Sequence, residues 1–323
     1  MEPEISIIIP VYNGATFLHD CLESVFRQQA DESWFEVIVV DDGSTDLSST
    51  IVNEWQLSHG NLRLVQQENQ GVSVVRNTGL HLANGNFICF LDVDDLFFAG
   101  GFEALAKQDV DNIDVVMMDS YIQTGDNMNN RYVFPSEFDE KVLRGIEVAR
   151  IYDKASVAGV LFDRIFISKH GICFAPGLAN GEDLLFLAQA FLYADQVVHF
   201  SIPFYQVVRT SHSESQQWEF QRLMNNLQIS VDFLNNIKKN ELLDKEQRDL
   251  LAVTAYRVFS FGIWFFLRTK CYSRFPEVKS LIKDSDFWPV QQHRSGDKGF
   301  KIKVFNFSLS LFSLLVFIKN KKQ

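Results

Sequence analysis

Residues 87–95 read Phe-Ile-Cys-Phe-Leu-Asp-Val-Asp-Asp, five apolar residues running straight into three carboxylates within four positions. A run this short and this apolar is a strand buried on both faces, which requires a sheet covered on either side. Such a strand gains no stability by ending in Asp92, Asp94 and Asp95. Carboxylates packed this closely repel one another and are costly unless something positive joins them. A hard divalent cation is the natural partner, because Mg2+ or Mn2+ takes oxygen ligands and shares them between one or two carboxylates and the phosphates of a substrate. The stretch therefore proposes a metal-bridged phosphate site at the C-terminal end of a strand, where open α/β sheets place their ligands. The alternative is a solvated acidic turn in which Asp94 or Asp95 caps a helix.

The chain before this stretch repeats one pattern. Residues 5–10 form a β-branched run ended by a proline, a first buried strand. Apolar residues then recur at Phe17, Leu18, Cys21, Leu22, Val25 and Phe26, one stripe of a helix with Asn13 or Thr16 as cap. Residues 35–40 are a second buried strand, running into Asp41 and Asp42, with Ser44 or Thr45 capping the helix that follows. A third strand spans 62–66, and a helix spans 71–83 with Val72, Val75, Leu80 and Leu82 inward. Four strands alternating with three helices predict a parallel sheet with right-handed crossovers. Two of those strands, the second and the fourth, end in paired acids.

Farther on the pattern loosens. A strand is predicted at 114–119, a polar loop at 123–131, a helix at 140–152 and a Gly/Pro-containing loop at 171–181. The loop leads into Glu182-Asp183 and a helix over 184–194, then an extended segment over 197–205 and a polar loop with Arg209 and His212. Residues 218–269 read as helical throughout. No internal repeat and no low-complexity linker interrupts the chain.

Composition narrows the function. A net charge of −11 over 323 residues argues against a nucleic-acid binder, which needs a basic face. The four cysteines are far apart, form no C-x-x-C pair and suggest a reducing compartment without a zinc cage. The N-terminus enters a strand at once and does not read as a signal peptide. The tail differs, since residues 298–323 carry six lysines and no acid. Within it, 304–318 is mostly apolar, with Asn306, Ser310 and Ser313 on one narrow polar face. A helix of that length reaches roughly 22 Å, short of the ~30 Å hydrocarbon layer. An interfacial helix held by lysines to anionic lipid, or a last helix packed on the body, both fit.

Several enzyme classes lack their signatures. There is no G-x-G-x-x-G after the first strand, no Walker A sequence, no H-E-x-x-H and no G-x-S-x-G. Leu96 and Phe97 follow the acids where an EF-hand requires a ligand and a glycine. What remains is a parallel sheet with acids at two strand ends and a third acid pair far downstream. That division suits a displacement reaction, with a metal neutralising a leaving diphosphate and a separate carboxylate taking a proton from the nucleophile. By itself, Glu182-Asp183 at a helix start also reads as favourable charge on the helix dipole.

Four blocks in order carry a family resemblance: residues 5–13 (Ile-Ser-Ile-Ile-Ile-Pro-Val-Tyr-Asn), 39–46 (Val-Val-Asp-Asp-Gly-Ser-Thr-Asp), 69–71 with 76–79 (Asn-Gln-Gly, Arg-Asn-Thr-Gly), and 90–95 (Phe-Leu-Asp-Val-Asp-Asp). They closely resemble the family 2 glycosyltransferases, and residues 181–186 resemble that family's downstream acid motif. The resemblance covers about residues 4–215. It implies an inverting enzyme of the GT-A fold: an α/β, mostly parallel nucleotide-binding sheet flanked by helices, here with a C-terminal helical extension. The implied division is a nucleotide-sugar-binding half (1–99), an acceptor-binding half (100–215), the helical extension (216–297) and the tail (298–323).

By position, the resemblance implies that Pro10 and Tyr12 line the nucleobase pocket, and that Asp42, with Asp41 beside it, accepts a hydrogen bond from uracil. Asp41 also reads as a structural turn acid. Asp92-Val-Asp94 matches the D-x-D motif, with Asp92 near the ribose and Asp94 on a Mg2+ or Mn2+ ion bridging the diphosphate. Asp95 either joins that ion through water or orients a helix. Asp183 is the implied general base, with Glu182 second. Arg76 supports the nucleotide or pairs with the acids. Arg209 and His212 are leaving-group candidates in a loop that reads equally as plain surface. One departure stands out: where many members carry a Trp-Asn-Lys-Leu-Tyr-like block, this chain has Val-Leu-Phe-Asp-Arg-Ile-Phe at 160–166, a segment expected to face the acceptor. The implied reaction moves a sugar from a nucleotide-sugar, UDP-linked by preference, to a glycan or lipid-linked saccharide in bacterial surface-polysaccharide assembly. Its expected setting is the cytoplasm, peripheral on the inner membrane face. The rivals are a sugar nucleotidyltransferase, disfavoured because residues 11–15 carry no base, and a non-catalytic nucleotide-sugar or metal-binding module.

Overall fold

Alternation within the β-branched runs splits the core in two. Ile5, Ile7, Ile9 and Val11 of strand β1 (Ile5–Val11) face one side, with Val37 and Val39 of β2 (Phe35–Asp41) beside them, while Ile8, Ile38 and Val40 face the other. The first side is covered by helix α1 (Ala15–Phe26), through Leu18, Cys21, Leu22 and Val25, and by α2 (Ser48–Gln56), through Ile51 and Val52. Strand β3 (Leu62–Gln66) follows, then α3 (Val72–Leu82), which contributes Val75 to the second side. Strand β4 (Phe87–Phe90) is buried along its whole length, as its apolar run predicts.

The computed structural model describes residues 3–28, 30–124, 127–130, 134–152, 156–178, 181–208, 220–268 and 272–283. After β4 come β5 (Leu96–Phe97), α4 (Gly101–Leu105), a hairpin of β6 (Val115–Thr124) and β7 (Asn127–Asn130), α5 (Gly145–Ile151), β8 (Val160–Asp163), α6 (Arg164–His170), α7 (Glu182–Tyr193) and β9 (Val197–Val208). Among the described residues these strands form one nine-stranded sheet, in the order β3-β2-β1-β4-β8-β6-β9-β5 with β7 on β6. The first four strands are parallel in the order 3-2-1-4, as predicted. Beyond β4 the sheet is mixed. β8 runs antiparallel to both β4 and β6, whereas β6 and β9 are parallel across a register shift at Asp119.

Two compact units divide the chain: Met1–Pro176 with Glu182–His212, and Gly177–Gly181 with Ser213–Gln323. Of the two expected halves, 1–99 and 100–215, the described strands of both lie in the one sheet of the first unit. The second unit contains α8 (Phe220–Lys239), α9 (Lys245–Arg268) and α10 (Phe275–Lys283). The expected continuous helix is broken at 240–244. Asp244 accepts the Gln247 N–H at 2.8 Å while the Gln247 side chain accepts the Asp244 N–H at 3.0 Å, a reciprocal cap that starts α9. No helix among the described residues is long and apolar enough to cross a membrane. The lysine-rich tail, 298–323, lies outside them.

Several local expectations need correction. Residues 160–162 do not present a surface to an acceptor: Val160, Leu161 and Phe162 are buried in β8, between β4 and β6, whereas Ile165 is exposed. The 123–131 loop contains β7, and the helix expected from 140 begins at Gly145, because Leu143 bridges to Val197 of β9 instead. α2 begins at Ser48, not after Ser44 or Thr45, since those two side chains hold the neighbouring loop. α1 is capped by Gly14 without a side-chain hydrogen bond, so neither Asn13 nor Thr16 serves. The inward face of α3 is Ser73, Val75, Arg76 and Gly79, while Val72, Leu80 and Leu82 are half-buried.

Helix α5 meets α7 at Gly145. A Cβ there would stand 2.3 Å from the Phe191 carbonyl oxygen and 2.7 Å from its Cα. Backbone cannot yield as a side chain can, so Gly145→Ala is expected to destabilise the protein by about 1–3 kcal/mol despite alanine's better helix propensity. Urea unfolding of the variant checks this, and an unchanged midpoint would show that α7 slides freely.

Candidate active site

The C-terminal ends of β1 and β2 carry two loops that interlock. Asn13 adopts the left-handed region (φ 51°). Its N–H donates to Ser44 Oγ at 2.8 Å, and its Oδ1 accepts the Thr45 N–H at 2.8 Å. The Gly14 and Ala15 N–H groups donate to Ser48 Oγ and Asp46 Oδ2, each at 3.0 Å. This clasp leaves Tyr12 45% exposed at the strand end, available for stacking on a planar ring. Pro10 is buried inside β1, opposite Val40, and presents no surface to a base.

Asp41 and Asp42 are both buried and occupied. Asp41 accepts from the Ser44 N–H at 3.0 Å and from Ser49 Oγ, the bonding of a turn acid. Asp42 Oδ1 accepts from Gln67 Nε2 at 2.8 Å and the Gln70 N–H at 2.9 Å, and Oδ2 accepts the Gly71 N–H at 2.8 Å. Asp42 therefore fastens the segment between β3 and α3. Thr78 extends the set by donating to Gln67 Oε1 at 2.9 Å. Gln67 and Thr78 were not singled out in the sequence, although they flank the Asn-Gln-Gly block.

The centre is Arg76, one of the buried residues of α3 and only 3% exposed. Its Nη2 donates to Asp92 Oδ1 at 2.8 Å, and its Nη1 to Asp183 Oδ1 at 2.8 Å and Glu182 Oε1 at 3.4 Å. The guanidinium also lies 5.1 Å from the ring centre of Phe174. Burial works against its charge, but Asp183, Asp92 and Glu182 outweigh burial and raise its pKa. Of the two readings open for Arg76, the acid pairing is the one present. Asp183 is held on its other side as well, where Oδ2 accepts the Val157 N–H at 3.1 Å. Burial, and then the charge of Asp183, push Glu182 up to about 7. Glu182 Oε2 and Arg76 Nε are buried without a hydrogen-bond partner, an arrangement more common at functional sites than in a settled core.

The acidic turn lies at the end of β4. Asp92 is 43% exposed. Asp94 is half-buried. Asp95 is buried and bonded to β9: Tyr205 Oη donates to Oδ2 and the Val208 N–H to Oδ1, each at 2.9 Å. Burial, and then the charges of Asp92 and Asp94, push it up to about 8. Asp95 thus holds β9 and does not cap a helix. Among the described residues no three His, Cys, Asp or Glu side chains are grouped to hold a metal. Asp92 and Asp94 offer the two hard oxygen donors that Mg2+ or Mn2+ uses when phosphates complete its shell. Arg209 and His212 lie outside the described residues.

A strand-end aspartate and a helix-start acid pair are gripped by one arginine beyond the C-terminal end of β4. Residues 6–159 match the model of the family described as glycosyl transferase family 2. These residues form a family 2 glycosyltransferase domain. The chain is similar to the putative glycosyltransferase EpsH of Bacillus subtilis, 28% identical over 264 residues, covering 77% of this chain and 73% of EpsH. It is similar also to the poly(ribitol-phosphate) beta-glucosyltransferase of Bacillus spizizenii, 27% identical, covering 80% of this chain but 40% of that protein. The structure of S. aureus TarS 1-349 in complex with UDP-GlcNAc matches with a TM-score of 0.64 at 26% identity, covering 80% of this chain and 73% of that one. The family 2 domain has the GT-A fold expected from its motifs.

Two outcomes follow from the buried charges. Arg76→Met leaves Asp92, Glu182 and Asp183 facing one another without a cation, and stability should fall by about 3–5 kcal/mol, measured by urea unfolding at pH 7.5. Glu182 titrates near 7 in the folded chain against 4.5 ordinarily. The folded state therefore keeps a proton that the unfolded chain has lost. The contribution of Glu182 to stability is full below about 4.5, declines as pH rises to about 7 and is level above. Glu182→Gln removes that decline. The variant should gain roughly 1–3 kcal/mol on the wild type between pH 4.5 and 8, and parallel stability–pH curves would contradict it.

Proposed function

We propose that the protein transfers a sugar from a UDP-sugar to a hydroxyl of a glycan or lipid-linked saccharide, with inversion, in building a bacterial surface polymer. The observation that carries this reading is the single buried guanidinium shared by Asp92 of the acidic turn and Asp183 of α7. It sets a carboxylate for the donor's diphosphate side and a carboxylate for proton removal in one rigid unit. The UDP-GlcNAc named for TarS supports a UDP-linked donor, and the poly(ribitol-phosphate) glucosyltransferase supports a polymeric acceptor.

Asp183 is the general base. Hydrogen bonds from Arg76 and the Val157 N–H fix its direction. An acceptor hydroxyl beside it gives up its proton as oxygen forms a bond to the anomeric carbon and the bond from that carbon to the diphosphate oxygen breaks. One displacement from one face inverts the centre. Glu182, near neutrality in pKa, limits the negative charge around Asp183. Asp92 and Asp94 are the residues that would hold Mg2+ or Mn2+, which when bound neutralises the departing diphosphate. Tyr12 stacks on the base. Asp42 holds the segment 67–71 that borders it, so any contact it makes to uracil is added to a structural duty. The tail at 300–323 is the proposed membrane contact.

Asp183→Asn tests this. Turnover should fall by about 10²- to 10⁴-fold, while UDP still raises the melting temperature as in the wild type. Turnover within tenfold of wild type would remove Asp183 from the chemistry. Unchanged turnover across all UDP- and GDP-sugars tried, at background level, would remove the donor assignment.

A further inference from the structure

Strand β9 holds more of the acidic turn than its place at the sheet's far side suggests. Tyr205 is buried, and its hydroxyl stands between two parts of that turn. It accepts the Asp92 backbone N–H at 3.1 Å and donates to Asp95 Oδ2 at 2.9 Å. The Val208 N–H takes the other Asp95 oxygen at 2.9 Å. Within the turn, the Asp95 N–H donates to the Asp92 carbonyl at 2.9 Å. Beyond it, Leu96 pairs with Gln206 and Phe97 with Tyr205, and the Phe98 N–H donates to the Phe204 carbonyl at 2.9 Å. The backbone that carries Asp92 and Asp94 is thus stitched to residues 204–208.

We infer that Tyr205 is a positioning residue for the cation site: its hydroxyl sets the turn so that Asp92 and Asp94 address one ion. This rests on the reading of those two aspartates given above. The tyrosine contacts neither carboxylate it would aim. It acts on the peptide N–H of Asp92 and, through Asp95, on the next residue after Asp94. Groups in this outer position commonly decide how well a metal is held, because carboxylate ligands swing with their backbone. Removing the hydroxyl strands one N–H and one buried carboxylate, yet leaves the ring in its edge contact with Phe97, 6.0 Å between centres. The loss therefore falls on aim more than on packing.

The experiment measures Mn2+ binding to the full chain by electron paramagnetic resonance in saturating UDP, alongside UDP binding without metal and the melting temperature. Tyr205→Phe should weaken Mn2+ binding by about 10- to 100-fold, with metal-free UDP binding within about twofold of wild type. Asp95→Asn, which keeps an acceptor for Val208 and a polar group at the tyrosine, should hold Mn2+ within about threefold, since Asp95 orients and does not ligate. Wild-type Mn2+ affinity in a folded Tyr205→Phe overturns the inference. So does an Asp95→Asn protein that loses Mn2+ as fully as Asp94→Ala, which would make Asp95 a ligand; that arm decides the matter if Tyr205→Phe melts too low to titrate. If Asp94→Ala itself binds Mn2+ like the wild type, the cation assignment fails, and the inference about Tyr205 that rests on it falls with it.

Discussion

One guanidinium facing three carboxylates is the constraint on which the rest of the site depends. Arg76 is buried on the face of α3 that packs against the sheet, where an unpaired charge is prohibitive. Its partners come from the end of β4 and the start of α7, about a hundred residues apart. The fold must therefore deliver both to the same few ångströms. Gly79, one turn after Arg76, helps α3 sit that close, because a Cβ there would stand 2.3 Å from Ile8 of β1. One cation does not balance three acids. Glu182 meets part of the imbalance by rising to about 7 and Asp95 by rising to about 8. The more exposed acids are Asp92 and Asp94, the two proposed to hold a divalent cation.

The nucleotide side is rigid for a different reason. Asn13, Ser44, Thr45, Asp46 and Ser48 lock the loops after β1 and β2 to each other, and Asp42 locks the second of these to the segment before α3. None of these bonds involves a ligand. They consume Asn13, Ser44 and Thr45, which the sequence offers as caps, while Asp46 accepts the first N–H of each helix, from Ala15 and from Ser48. A base stacking on Tyr12 would meet a surface already ordered, so little entropy is lost on binding.

The first four strands, their parallel pairing and the acids at the ends of β2 and β4 were legible because period and composition agree there: buried β-branched runs, turn residues, then an amphipathic stripe. Asp92 and Asp94 stood out as acids where stability asks for none, and Glu182 and Asp183 as a pair that also suits a helix start. Legibility failed where tertiary pairing decides. Val160 to Asp163 is too short to outweigh its surroundings as a strand, and only the free edges of β4 and β6 make it one. Arg76 was visible as a charge in a helix, but nothing local says that it faces inward. Tyr205 had no signal at all, since a tyrosine in an apolar strand is ordinary and its partners lie 110 and 113 residues away.

The choice of arginine at position 76 follows from geometry. A lysine would supply the same charge as a point that turns freely on its stem. A guanidinium is planar, and its two terminal nitrogens point in fixed and different directions. Nη2 is spent on Asp92 and Nη1 on Asp183, at 2.8 Å each. The spacing between Asp92 and Asp183 is thereby set by the covalent shape of one side chain, not by the sum of many packing contacts. Displacement chemistry loses rate steeply when the nucleophile and the leaving group are misaligned. Under the proposed reaction, a rigid fork buried under Phe174 protects that alignment.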